Sequence, residues 1–118
     1  MTQEQKDLLL KDLCARLPYK VIVEFVSYEG EEKPWFGELS CKDLDCFIHD
    51  VGFAEIKPYL FPLSSMTEEQ RNEYHELLYN PKHGINIDYF DWCYKNHLDC
   101  RGLIPMGLAN NAIGLNIY

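Results

Sequence analysis

"YKVIVEFVSY", residues 19–28, is the stretch on which the fold turns. Val21, Val23 and Phe25 fall on one face, Lys20 and Glu24 on the other, with Ile22 and Val26 between them. A short run of β-branched and aromatic side chains repeating every second residue is the pattern of a half-buried strand. The chain therefore builds a sheet, and the neighbouring segments are read by how they complete it.

Downstream, "EGEEKP" (29–34) reads as a charged turn broken by Gly30 and Pro34. "WFGELSC" (35–41) reads as a second strand that pairs back as a hairpin. Lys42 and Asp43 form a tight connection to a third strand, "LDCFIHDV" (44–51), in which Leu44, Cys46 and Ile48 alternate with Asp45 and His49. A short fourth strand is expected around "FAEIK" (53–57). Short connections between successive strands make the sheet antiparallel. "PYLFPLSS" (58–65) carries two prolines and so cannot be a central strand or a helix. It reads as an extended crossover laid against the core.

Helices flank this sheet. Thr2 caps a first helix, with Gln5 as its capping-box partner. Leu10, Leu13, Cys14 and Leu17 follow the spacing of one apolar face, and Pro18 ends the helix. Thr67 opens a second helix with Glu68 and Glu69 in its first turn and Gln70 as capping partner. Tyr74, Leu77 and Leu78 form its stripe, and Asn80-Pro81 stops it. After the loop "KHGIN" (82–86), a third helix runs from about Asn86 or Asp88 to about His97. Ile87, Phe90 and Tyr94 line one side of it, and Gly102 suits the left-handed position past a helix end. The tail from Leu103 is mostly apolar and is expected to pack.

Composition bounds the class. With 47% hydrophobic and 14% aromatic residues, 118 residues suffice for a packed core, so one domain over 1–118 is expected. The 19 acidic against 11 basic side chains give a net charge of -8. A phosphate-bearing partner is repelled by that charge, so direct nucleic-acid binding is not expected, whereas a basic protein surface is attracted. No run approaches the roughly 20 apolar residues that span a bilayer. The opening lacks a signal-peptide core, and five cysteines are an odd number. Reduced thiols in a cytoplasm are the expectation.

Several constellations carry possible chemistry. Cys93 and His97 share a helical face with Cys100 following, and Cys41, Cys46 and His49 form a second cluster. Neither has the C-x2-C spacing of a zinc site, so no metal and no cofactor is expected. Cys14, Cys41 and Cys46 fall at expected inward positions, where cysteine behaves as a small hydrophobe. Cys100, beside Arg101 and near His97, is the best candidate nucleophile, but no nucleophile signature surrounds it. Asp88 and Asp91 share a helical face, as acid/base pairs often do, but they also sit in the first turn, where carboxylates simply stabilise the helix, and that reading is preferred. His97, Asp99 and Arg101 read as a cap and salt-bridge cluster at a helix end, with Arg101 pairing Asp99 or Asp91. Trp35 and Phe36 follow the turn and, where exposed, are binding anchors. No catalytic residue is assigned. The candidate binding residues are Trp35, Phe36, His97, Asp99 and Arg101.

Three segments also resemble one another's counterparts in a known group. "MTQEQKDLLLKDLCARLPY" (1–19), "IKPYLFPLSSMTEEQ" (56–70) and "HLDCRGLIPMGLA" (97–109) resemble a family of short uncharacterised proteins of gut Bacteroidetes bacteria and their prophages and mobile elements. The ending "NNAIGLNIY" departs from that pattern. The resemblance implies a bacterial or phage cytoplasm and an accessory role, and no activity.

The fold expected is α+β: a small antiparallel sheet of three or four strands with an N-terminal helix and two further helices. A small barrel with an N-terminal helix is the alternative arrangement. The function expected is a non-catalytic accessory protein docking on a protein partner. The alternatives are a small-molecule or nucleotide binder with a pocket between sheet and helices, and a zinc- or cysteine-dependent enzyme.

Overall fold

The computed structural model of the chain describes residues 1–28, 33–79 and 87–118. The fold is α+β. Among the described residues it comprises, in chain order, α1 (Gln3–Arg16), β1 (Ile22–Val26), β2 (Trp35–Glu38), α2 (Cys41–Ile48), β3 (Glu55–Leu60), α3 (Glu68–Tyr79), α4 (Ile87–Lys95) and β4 (Asn110–Asn111). The strands form one open sheet in the order β2-β1-β3-β4. β1 pairs antiparallel with both β2 and β3, and β4 joins β3 in parallel, so the sheet is mixed.

The caps form where the residues called for them. Thr2 Oγ1 accepts from the Gln5 amide at 3.1 Å while Gln5 Oε1 accepts from the Thr2 amide at 3.0 Å. Thr67 and Gln70 repeat the exchange at the start of α3. Each pair satisfies amides that the first helical turn leaves without intrahelical partners. Pro18 follows the end of α1 within a single 3-10 turn, Leu17–Tyr19. Residues 29–32 and 80–86, where a turn, a helix stop and a loop are expected, and the side chains of Leu78, Tyr79, Ile87 and Asp88 lie outside the described residues.

Val21, Val23 and Phe25 are buried as the alternation requires. They meet Ile56 and Leu60 of β3, Leu9 and Leu13 of α1, and Leu44 and Phe47 of α2 in one core. The stripe that α1 buries differs from the apolar one. Leu9, Asp12, Leu13 and Arg16 face inward, one position (about 100° of rotation) away from Leu10, Leu13, Cys14 and Leu17. The reason is that Asp12 and Arg16 form an ion pair inside, which a hydrophobic pattern cannot register.

Residues 44–51 are not a strand. Ser40 caps α2, its hydroxyl accepting from the Asp43 amide at 3.3 Å while Asp43 Oδ2 accepts from the Ser40 amide at 2.9 Å. Once the helix starts there, Leu44 and Phe47, three apart, bury together, and Ile48 turns out to water. Cys46 is half-buried, and Cys14 and Cys41 are exposed rather than inward.

β3 runs through Pro58, in the middle of the sheet. The Leu60 carbonyl accepts from Ala112 on the β4 side at 2.8 Å. Backbone groups alternate along a strand, so Pro58, two residues earlier, turns its nitrogen to that same side. β4 begins only opposite Tyr59, so no ladder bond needs the missing N–H.

α4 ends in a Schellman motif. The Leu98 amide bonds the Cys93 carbonyl at 2.9 Å and the His97 amide bonds the Tyr94 carbonyl at 3.1 Å. The left-handed residue that this turn requires is His97 (φ 57°), not Gly102, which is left-handed in a later turn (φ 72°). The chain then forms a parallel bridge between Phe61 and Leu98. There the Phe61 amide bonds the His97 carbonyl at 2.8 Å, and the Asp99 amide bonds the Phe61 carbonyl at 2.9 Å.

Candidate functional site

Two regions concentrate polar chemistry or exposed apolar surface. The first is a charged cluster buried between α1, α4 and the segment 98–104. Asp12 and Arg16 sit one turn apart on α1, fully buried, with Arg16 Nε donating to Asp12 Oδ2 at 2.7 Å. Arg16 Nη2 donates to the Leu98 carbonyl at 2.7 Å, and the guanidinium lies 5.0 Å from the centre of the Tyr94 ring. One side chain thereby ties α1 to the bridge at Phe61 and to α4. Arg101 comes from the other side, its Nε 3.5 Å from Asp12 Oδ1 and its Nη2 donating to the Tyr94 hydroxyl at 2.6 Å. Its partner is therefore Asp12, neither Asp99 nor Asp91. Burial pushes the Asp12 carboxyl above the ordinary carboxylate range, outweighing the two guanidiniums beside it.

Asp99 is engaged by backbone. Its two carboxylate oxygens accept from the amides of Leu103 and Ile104 at 2.8 and 2.9 Å. His97 is taken up by the tail: its ring stacks on Tyr118 at 3.7 Å between centroids. Burial, helped by the nearby Arg16 charge, lowers its pKa to about 4, so the imidazole is neutral. The Tyr118 hydroxyl accepts from the Ile22 amide at 2.9 Å and donates to the Tyr59 carbonyl at 2.8 Å, bridging β1 and β3 where their ladder ends. Burial raises that phenol to about 12.

Two thiols complete the cluster. Cys93, fully buried on α4, and Cys100, half-buried, face each other across the turn in which the Leu98 amide bonds the Cys93 carbonyl and the Cys100 amide bonds the Leu98 carbonyl. Cys100 Sγ also lies 4.0 Å from Arg16 Nη2. The Cys93 thiol and the positive charge of Arg16 draw the Cys100 thiol below its usual range, although burial opposes them. The cation at Cys100 is thus Arg16, brought from far away in sequence, more than the adjacent Arg101. His97, turned to Tyr118, does not serve it as a base. Among the described residues no group of three or more His, Cys, Asp or Glu side chains converges closely enough to hold a metal ion.

The second region is the face of the sheet opposite the core. Alternation from the buried Val23 and Phe25 places Glu24 there, and the register adds Phe36 of β2 and Lys57 of β3. Glu38, Glu55 and Tyr59 share it. Phe36 is 65% exposed and meets Tyr59 edge-on, with ring centroids 6.5 Å apart. Leu115 and Ile117 of the tail close a groove of about 240 Å³ beside these two rings. Glu24 accepts from the Tyr59 hydroxyl at 3.4 Å and from Asn110 at 3.2 Å, and Lys57 reaches Glu55 at 3.8 Å. β2 is the sheet's edge, and among the described residues no strand pairs with its outer side.

The five candidate residues therefore separate. Trp35 lies on the core-side face and stacks on Phe25 at 5.5 Å while staying 38% exposed, and Phe36 points the opposite way into solvent. Asp99 and Arg101 are structural members of the buried region, and His97 lies at its margin under Tyr118. Sequence reasoning did not single out Asp12, Arg16, Tyr59 or Tyr118. The signal for the first two was present as an Asp and an Arg four apart on the helical face of Leu9 and Leu13, the spacing of a helical ion pair. The roles of Tyr59 and Tyr118 depend on strand order and had no local signature.

A third feature is a cavity of about 380 Å³ lined by Phe61, Ser65, Thr67, Gln70, Asn96 and Leu98, with Ile113 and Gly114 of the tail. No helix among the described residues is long and apolar enough to cross a membrane. No protein-family model, curated protein or solved structure matches the chain.

Proposed function

We propose that the chain is a non-catalytic binding protein whose open sheet face and free β2 edge receive an extended, basic segment of a partner protein. The observation that carries this reading is Phe36, largely exposed on an edge strand and set among acidic side chains. An edge strand offers unpaired backbone groups to a strand from outside, and side-chain grooves on its face supply selectivity. Glu24, Glu38 and Glu55 outnumber Lys57 on that face, and the chain as a whole carries -8, so the complementary segment is cationic. Such a role suits a phage or mobile-element accessory acting in a bacterial cytoplasm, the setting that the resemblance implies.

Selection of a randomised peptide library on the immobilised protein tests this. The expected winners alternate Lys or Arg with apolar residues, and lose binding to Phe36→Asp and Glu38→Lys. Winners of neutral or acidic character, or winners indifferent to both substitutions, would refute the reading.

A second reading rests on the cavity beside Phe61, whose volume falls in the range of roughly 300–1,000 Å³ usual for ligand sites. Its polar groups are the hydroxyls of Ser65 and Thr67 and the amides of Gln70 and Asn96, with no basic side chain, so a small uncharged polar molecule fits better than a nucleotide. Thermal-shift screening checks it: stabilisation by an uncharged polar compound that Asn96→Leu abolishes supports it, and stabilisation by none counts against it.

A further inference from the structure

We infer that Cys93 and Cys100 are a thiol–disulfide exchange site, in which Cys100 attacks a low-molecular-weight disulfide and Cys93 resolves the adduct. The inference is independent of the docking surface. Three observations bring it together. The two residues are brought together across the turn that closes α4, where the Leu98 amide bonds the Cys93 carbonyl at 2.9 Å and the Cys100 amide bonds the Leu98 carbonyl at 3.1 Å. Cys100 is partly open to solvent while Cys93 is sealed, the usual division between an attacking and a resolving thiol. The fully buried Arg16 stands 4.0 Å from Cys100 Sγ, and its Nη1 has no hydrogen-bond partner among the described residues. A guanidinium held at that place favours the thiolate, the nucleophilic form of cysteine.

The chemistry balances with a disulfide RSSR as the oxidant. The Cys100 thiolate attacks one sulfur, a mixed disulfide forms and RS⁻ leaves. Cys93 then gives up its proton to RS⁻, which departs as RSH. The Cys93 sulfur attacks Cys100 Sγ, the intramolecular S–S bond forms, and the second RS⁻ leaves and is protonated by water. The protein loses two protons and two electrons, and RSSR becomes two RSH. The product bond joins α4 to the segment after the Phe61 bridge.

The test uses the full chain carrying Cys14→Ser, Cys41→Ser and Cys46→Ser, which leaves only the pair. The protein is equilibrated in glutathione buffers from fully reduced to fully oxidised, trapped with an alkylating agent and mapped by mass spectrometry. The expected result is loss of both alkylatable thiols together, with a peptide linked between Cys93 and Cys100. Adding Cys93→Ser is expected to stop the reaction at a glutathione adduct on Cys100. Retention of both free thiols in the oxidising buffers would overturn the inference. So would glutathione adducts that never resolve while Cys93 is intact. The same mapping on the unsubstituted chain reads the outcome independently of the variants' folding, and oxidation of Cys14, Cys41 or Cys46 with Cys93 and Cys100 left reduced would equally overturn it.

Discussion

Arg16 Nε lies 2.7 Å from Asp12 Oδ2, and neither side chain has any exposed surface. An ion pair in this position stabilises the fold only while both members are present, because either one alone is a buried charge. Arg16→Met is expected to cost ~3–5 kcal/mol, much of what a domain of this size has. The double variant Asp12→Leu/Arg16→Met should regain most of it. Urea denaturation of the three proteins reads this, and equal losses in the single and double variants would show that the pair's charges are not what matters.

His97 makes stability depend on pH. Its ordinary pKa of 6.5 falls to about 4 in the fold. Below pH 6.5 the unfolded chain takes up a proton that the folded chain refuses, so stability falls as pH drops from 6.5 toward 4, and this contribution is flat above. The shift corresponds to at most ~3 kcal/mol. His97→Asn tolerates the left-handed backbone and has no titrating group. Its stability loss between pH 7 and pH 4.5 should be smaller than that of the natural chain, measured by urea midpoints. Parallel losses would exclude His97 as the cause.

Asp99 holds the turn that returns the chain to the core. Asp99→Ala removes the acceptors of two backbone amides, Leu103 and Ile104, and is expected to cost on the order of 3 kcal/mol. Asp99→Asn keeps one acceptor and should cost about half as much. Amide exchange at Leu103 and Ile104 should quicken in both variants ahead of the rest of the chain.

Ser40→Ala separates the helix from the strand reading of residues 41–48. Loss of the cap is expected to cost about 1 kcal/mol, and Ser40→Asp to recover it. In a strand neither change would matter, so a neutral Ser40→Ala would argue against α2.

The neighbours Trp35 and Phe36 should respond oppositely. Phe36→Ser touches only surface and is expected to leave stability within about 0.5 kcal/mol. Trp35→Ala removes a ring stacked on the buried Phe25 and should cost roughly 1–2 kcal/mol. Thermal unfolding of both variants gives the comparison. A destabilised Phe36→Ser would mean that the ring serves the fold rather than a partner.

Much of this architecture was legible because it is local. The Thr2 and Thr67 boxes, the stop at Pro18, the inward set Val21, Val23 and Phe25, and the hairpin to Trp35–Glu38 each depend on residues a few positions apart. The misreadings share a cause as well. Leu44, Cys46 and Ile48 do alternate, but Ser40 and Asp43 close a cap just upstream, and the cap decides. Pro58 looks disqualifying until the partner on its nitrogen side is known to begin one residue later. Of the candidate binding residues, Phe36 emerged on the surface, while Asp99 and Arg101 were drawn into the interior by partners named nowhere nearby in the chain.

Sequence alone settled the α+β class, the helix starts at Thr2 and Thr67, and which side of Ile22–Val26 faces inward, since capping and side-chain alternation act within a few residues. Long-range packing settled the rest: the burial of Arg16 against Asp12 and Leu98, the meeting of Cys93 with Cys100 beside it, and the exposure of Phe36 on a free edge. A buried charge or an open strand edge exists only through what lies opposite it, and the residues opposite are set by how distant segments close on one another.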